Sequence, residues 1–153
     1  MSCRTPPVGR GEAGAAAVEA AVAISVLLLA IVGILEFARA LWTYGTMLVA
    51  VEQAGRYAMT YNHRPPMSCS AQAQAPRCPA ISNTPEANCS AWYASQVLGA
   101  YQVSGIAVSA AADTATSPAT VTVCASYSFD FISPQLMPYG PIPLTTSVTV
   151  PVF

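Results

Sequence analysis

Between Ala13 and Leu35 runs AGAAAVEAAVAISVLLLAIVGIL, twenty-three residues whose only ionisable side chain is Glu19. At about 1.5 Å of rise per residue, a helix of this length crosses a hydrocarbon layer of about 30 Å. A cleaved secretory signal has a shorter apolar core followed by a small-residue cleavage site, whereas this run is long and passes directly into further helix-like sequence. The segment therefore predicts one membrane-spanning helix that stays in the mature protein.

Composition narrows the function classes. Of 153 residues, 54% are hydrophobic and 8% charged, which suits neither a disordered tail nor the surface of an ordinary soluble enzyme. Six arginines, no lysine and seven acidic residues leave a net charge of −1, so no broad cationic face is available for nucleic acid. One histidine and scattered carboxylates offer little for general acid-base work, metal ligation or a nucleophile with its base. The chain is expected to be non-enzymatic, with no cofactor and no metal. His63 and Asp130 are expected to be surface residues, since neither has sequence neighbours that perturb its pKa.

The segments around the apolar run organise the rest. Met1 to Gly14 carries Arg4, Arg10 and Glu12 among Pro and Gly, as a short cytoplasmic leader does. Past Leu35 the pattern becomes amphipathic, with Phe37, Leu41, Tyr44, Leu48, Val51, Gly55 and Ala58 recurring at spacings of four and three. No proline interrupts the chain from Val8 until Pro65, so a helix is expected from about Ala15 to Tyr61, half in lipid and half outside. Trp42 and Tyr44 suit either an interfacial aromatic belt or packing of the stalk against its own domain. Glu36 with Arg39 and Glu52 with Arg56 have spacings that allow ion pairs, but an ordinary solvated helix face is the preferred reading.

From Arg64-Pro65-Pro66 the composition stops the helix and suits an extended loop to Asn83. Thr84-Pro85-Glu86 then places an N-cap, a proline at the first helical position and an acid in the first turn, predicting a helix to about Gln102. After Gly105 the period becomes two: Ile106, Val108 and Ala110, then Val121 through Phe131 at alternate positions, then Thr146, Val148, Val150 and Val152. A Pro-rich stretch from Ser133 to Pro143 is expected to be loop. The fold class is α+β: a long N-terminal transmembrane helix continuing as a stalk, then a small domain with one helix on an antiparallel β meander. The divisions are 1–14 leader, 15–62 transmembrane and stalk helix, and 63–153 exported domain.

Cys3 lies in the leader, while Cys69, Cys78, Cys89 and Cys124 all follow the membrane helix, an even number suited to two disulfides in an oxidising space outside the cytoplasm. Their spacings match no paired CxxC zinc pattern. Three connectivities are possible; the favoured one joins Cys69 to Cys78, closing the loop, and Cys89 to Cys124, tying helix to sheet. Such bridges contribute roughly 3 and 4 kcal/mol by chain entropy.

Glu19 demands a reason, because a carboxylate inside lipid costs a few kcal/mol unless something answers it. One answer is the positive end of the helix dipole at headgroup depth; the other is a partner cation. Gly14, four small or apolar residues, Glu19 and a long apolar stretch resemble the class III leader of type IV pilin-like proteins, cut after the glycine by a membrane prepilin peptidase. Over Arg10 to Met59, with Glu19, Leu35-Glu36-Phe37-Ala38-Arg39 and the AGRYA of Ala54 to Ala58, the chain is similar to the TadE-like minor pilins, or pseudopilins, of the Tad (Flp) pilus. That family commonly has an aromatic residue after the leader glutamate, where this chain has Ala20.

The resemblance implies that Gly14 precedes the scissile bond, Ala15 becomes the new N-terminus, and Glu19 pairs with the freed amine of a neighbouring subunit. It implies prepilin peptidase, other pilin subunits and the membrane as partners, with a role in pilus assembly, surface adhesion and biofilm formation. The protein would then sit in the inner membrane as a single-pass chain, N-terminus cytoplasmic and C-terminal domain periplasmic, before assembly into a surface pilus. The alternative is an unprocessed membrane-anchored adhesin or binding module.

Overall fold

A computed structural model describes residues 10–61, 69–132 and 140–152, with side chains from Gly14 onward. It contains α1 (Arg10–Met59), α2 (Pro85–Ala100), β1 (Ala107–Asp113), β2 (Ala119–Phe129) and β3 (Ile142–Val152). The class is α+β, as expected. The residues divide into two compact units, one up to Ala38 and one from Arg39 onward.

In the first unit α1 is a helix with every side chain from Gly14 to Ile31 exposed, the pattern of a segment whose solvent is lipid. Its one hydroxyl in that stretch, Ser25, donates to the Ala21 carbonyl at 2.8 Å and so carries no unmet donor into the apolar run. The helix begins five residues before the expected Ala15, because no proline follows Pro7 to prevent it. It stops at Met59, where Thr60 Oγ1 turns back to the carbonyls of Arg56 and Tyr57 and competes with the helical ladder.

The second unit is an antiparallel sheet in the order β1-β2-β3, with α1 and α2 on one face. Alternation assigns the two faces. Val121, Val123 and Ala125 of β2, Ala110 of β1 and Val150 of β3 meet Met47, Val51, Ala54 and Ala58 of α1 and Ala87, Ala91 and Ala94 of α2. Thr84 caps α2, accepting from the Ala87 amide, with Pro85 in the first turn. Gly105, at φ +83°, turns the chain from α2 into β1 in a conformation that a side chain would strain.

Two expectations need correction. The amphipathic stripe of α1 holds at Val51, Gly55 and Ala58, all buried, but Phe37, Leu41, Tyr44 and Leu48 are exposed. Thr43, Thr46, Met47, Ala50 and Ala54 are buried instead. Over this stretch the seam runs one position away from the expected stripe, with Met47 buried in place of Leu48 and small residues, Ala50 and Ala54, nearing the close contact at Gly55. The Pro-rich loop also ends sooner than expected: Pro143 lies in β3 opposite Ser128, and Pro151 lies opposite Thr120. Both are tolerated because β3 is an edge strand. Being eight residues apart, their nitrogens point to the same side, where no ladder bond is required.

Gly55 marks the tightest contact. A Cβ added there would lie 3.0 Å from Val148 Cγ1 and 3.1 Å from Val150 Cγ1, whereas one at Gly45 would meet nothing within 4 Å. Gly55→Val should therefore cost about 1–3 kcal/mol through overpacking, while Gly45→Ala should gain up to about 1 kcal/mol through helix propensity. Denaturant unfolding of the full chain in detergent, followed by tyrosine and tryptophan fluorescence, should show the two midpoints moving in opposite directions.

Candidate membrane and assembly site

Gly14, Ala15 and Glu19 all lie within α1 and all are exposed. Nothing stands within 4 Å of a Cβ placed on Gly14, so its lack of a side chain is not a packing requirement. Ala15 and Glu19 are four residues apart, which puts them on one face of the helix about one turn from each other. The helix from Gly14 to Met59 is long and apolar enough to cross a membrane. Trp42 and Tyr44 both remain exposed rather than joining the core.

The four cysteines that follow α1 pair, but differently from the favoured scheme. Cys69 joins Cys89, and Cys78 joins Cys124. The reason is the alternation of β2. Val123 and Ala125 face the helices, so Cys124 between them faces away, on the side where α2 does not lie. Only the loop before α2, which wraps onto that far face, brings a thiol to it. Cys89, on the buried side of α2, is left for Cys69.

Three residues with no sequence signal hold this loop. The Gln72 side chain behaves as an extra strand on β1: its Oε1 accepts from the Ala110 amide, and its Nε2 donates to the Ala110 carbonyl at 2.6 Å. Ser82 Oγ accepts from the Ala112 amide. Together they satisfy an edge that would otherwise invite another strand. Gln74 ties the turn at Cys78 by donating to Cys78 and Pro79 carbonyls and accepting from the Ile81 amide.

Charged side chains are sparse. Glu36 is 4% exposed, unlike the solvated face expected of it; by spacing it falls on the stripe of Thr43, Met47, Ala50 and Ala54. Glu52 and Arg56 are exposed, as a solvated face requires. The Arg39 guanidinium lies 5.2 Å from the centre of the Phe129 ring, a cation–π arrangement. Asp130 is exposed, and His63 lies outside the described residues. Gln53, Arg56, Tyr57, Thr60 and Tyr93 line an open cleft floored by stacked Tyr57 and Tyr93 rings 4.8 Å apart. Nearby, the Tyr61 hydroxyl is held above its ordinary pKa, first by burial, then by the Glu86 carboxylate and Tyr57. Among the described residues no three His, Cys, Asp or Glu side chains gather as a metal site.

The helix and the domain together define a class: a chain with one N-terminal helix fit to span a membrane, bearing a small disulfide-bonded α+β domain. The family resemblance is borne out over α1, where residues 14–56 match the family model described as TadE-like protein. That match suggests a protein associated with the Tad pilus. No curated protein and no solved structure matches the chain.

The connectivity predicts a specific digest. Cleavage after Arg77, Glu86, Trp92, Tyr101 and Tyr127 under non-reducing conditions separates all four cysteines. Mass spectrometry should then find the fragment ending at Arg77 bound to Ala87–Trp92, and Cys78–Glu86 bound to Gln102–Tyr127. Cys124→Ser should lower unfolding stability by about 4 kcal/mol, the chain entropy of a bridge spanning 46 residues. Cys3→Ser should leave the unfolding midpoint unchanged.

Proposed function

We propose that this chain is a structural, non-enzymatic minor pilin, or pseudopilin, of a Tad (Flp) pilus, processed after Gly14 and incorporated through Glu19. The observation that carries this reading is the TadE-like match beginning at Gly14, on a helix with Glu19 exposed in its apolar run. An unanswered carboxylate in lipid is costly, and a neighbour's Ala15 amine, freed by cleavage, is a cation at the matching depth. The partners on this reading are prepilin peptidase, other pilin subunits and the membrane, and the context is surface adhesion and biofilm formation. The bridged cysteines suit a domain in the periplasm.

Processing and assembly should separate genetically. Gly14→Val should leave a membrane precursor about fourteen residues longer, by the position of the leader, with no incorporation, as N-terminal sequencing and mass measurement would show. Glu19→Gln should still be cut, yet its incorporation should fall roughly a hundredfold or more, because removing one partner of a buried charge pair costs about 3–5 kcal/mol. Wild-type amounts of Glu19→Gln protein in sheared filaments would leave only the dipole explanation for the carboxylate.

Topology is tested separately. Arg4 and Arg10 precede the apolar run, while Arg39 follows it closely. A reporter active only outside the cytoplasm should be active when fused at Phe153; activity only from a cytoplasmic reporter there would reverse the orientation.

A further inference from the structure

The packing of α2 leaves one large side chain unexplained. Its core side is built from Ala87, Ala91 and Ala94, yet the neighbouring Trp92 stays 37% exposed. The indole forms one wall of an open pocket of about 180 Å³, whose other walls are the loop at Ser70 and Gln72, α2 at Asn88 and Ser95, and β1 at Val108. All of these residues belong to the second unit. The loop wall is fixed at two points. Cys69, beside Ser70, is bridged to Cys89, beside Asn88, and the Gln72 carboxamide is clamped to both backbone groups of Ala110. A cavity between walls held in this way is preformed, so a ligand that enters it has little to order.

Asn88 points to what such a ligand must supply. Its Oδ1 is sealed from solvent and meets no donor among the described residues, a state that buried acceptors rarely hold. The same side chain lines the pocket, and rotation about χ2, a soft torsion, carries the carboxamide oxygen toward it, where a ligand O–H can donate. Ser95 Oγ gives its proton to the Trp92 carbonyl at 2.6 Å, so toward the pocket it accepts. Every lining side chain is uncharged, which leaves an ionised ligand without a counter-charge to offset its desolvation.

We propose that this pocket binds one neutral pyranose ring of a glycan, with the C–H face of the ring on the Trp92 indole and its hydroxyls on Asn88 and Ser95. A pyranose combines in one ring what the walls ask for. Its axial C–H bonds present positive edges to the negative face of the indole, and its rim carries O–H donors for two acceptors. A peptide side chain is apolar or polar but rarely both on one ring. The volume lies below the about 300–1,000 Å³ of sites for drug-sized ligands, which fits a single ring with the rest of the glycan outside the open mouth. The inference goes beyond the assembly reading and does not rest on it.

The test uses the full chain with Trp42→Phe, which leaves Trp92 as the single tryptophan, in micelles of lauryldimethylamine oxide, a detergent without sugar. The probes are the methyl pyranosides of glucose, galactose, mannose and N-acetylglucosamine, with methyl glucuronoside as the ionised counterpart and N-acetylphenylalanine amide as the peptide counterpart. At least one neutral pyranoside should change Trp92 fluorescence saturably, with a Kd in roughly the millimolar range of a small neutral ligand, and saturation-transfer NMR should mark its ring C–H protons. Asn88→Leu should weaken binding roughly tenfold without lowering the unfolding midpoint, since Oδ1 has no partner in the domain to lose. Trp92→Ala should abolish the saturation transfer. Absence of a saturable response to all four neutral pyranosides overturns the proposal, as does a response that survives Asn88→Leu or glucuronoside binding as tight as that of the glucoside. A response to the amide alone assigns the pocket to a peptide side chain and overturns it too. A lowered midpoint in Asn88→Leu shows that the carboxamide serves the fold and removes the ligand argument. None of these outcomes bears on Gly14 or Glu19, so the assembly reading stands or falls separately.

Discussion

One helix has to satisfy two solvents. Over Gly14 to Ile31 the side chains of α1 are exposed and, apart from Glu19 and Ser25, apolar, which suits lipid better than water. From Thr43 to Ala58 the same helix supplies a wall of the domain core. Its approach to the sheet at Gly55 is so close that an added Cβ would press on two valines of β3. The domain could not exclude water from Val121, Val123 and Val150 without this helix.

The second half of the domain is held by bridges and capped edges because its apolar surface is modest. Its helix–sheet interface is rich in alanine: Ala87, Ala91 and Ala94 against Ala110 and Ala125. Small side chains bury little area each, and a domain of this size gains limited stability from its core. The Cys69–Cys89 and Cys78–Cys124 bridges compensate by fixing the loop before α2 on both sides of the sheet. Gln72 and Ser82 then occupy the β1 edge, and Pro143 and Pro151 blunt the β3 edge. Neither sheet edge is then left open to strand addition.

The stalk half of α1 carries its large apolar side chains outward. Phe37, Leu41, Trp42 and Leu48 are exposed, while Thr43, Thr46, Met47, Ala50, Val51 and Ala54 are buried. This inversion explains why hydrophobicity alone gave the wrong seam. A helix in water turns its largest apolar residues inward, whereas a helix leaving a membrane has a second apolar environment beside it.

Much was legible without coordinates, for reasons that are local. The membrane run follows from length and from a single ionisable residue; α2 follows from Thr84-Pro85-Glu86; the strands follow from period-two alternation, since each of these signals is written in neighbours along the chain. Gly14, Ala15 and Glu19 are marked only by spacing and by the family resemblance, and no packing contact of Gly14 adds to that. Tertiary structure decided what depends on which surfaces meet. It set the phase of the stalk seam, because the winning face was the one that allowed close approach rather than the one with the most carbon. It also set the cysteine pairs: alternation along β2 had turned Cys124 away from α2, but only the path of the loop around the sheet determined which thiol could reach it.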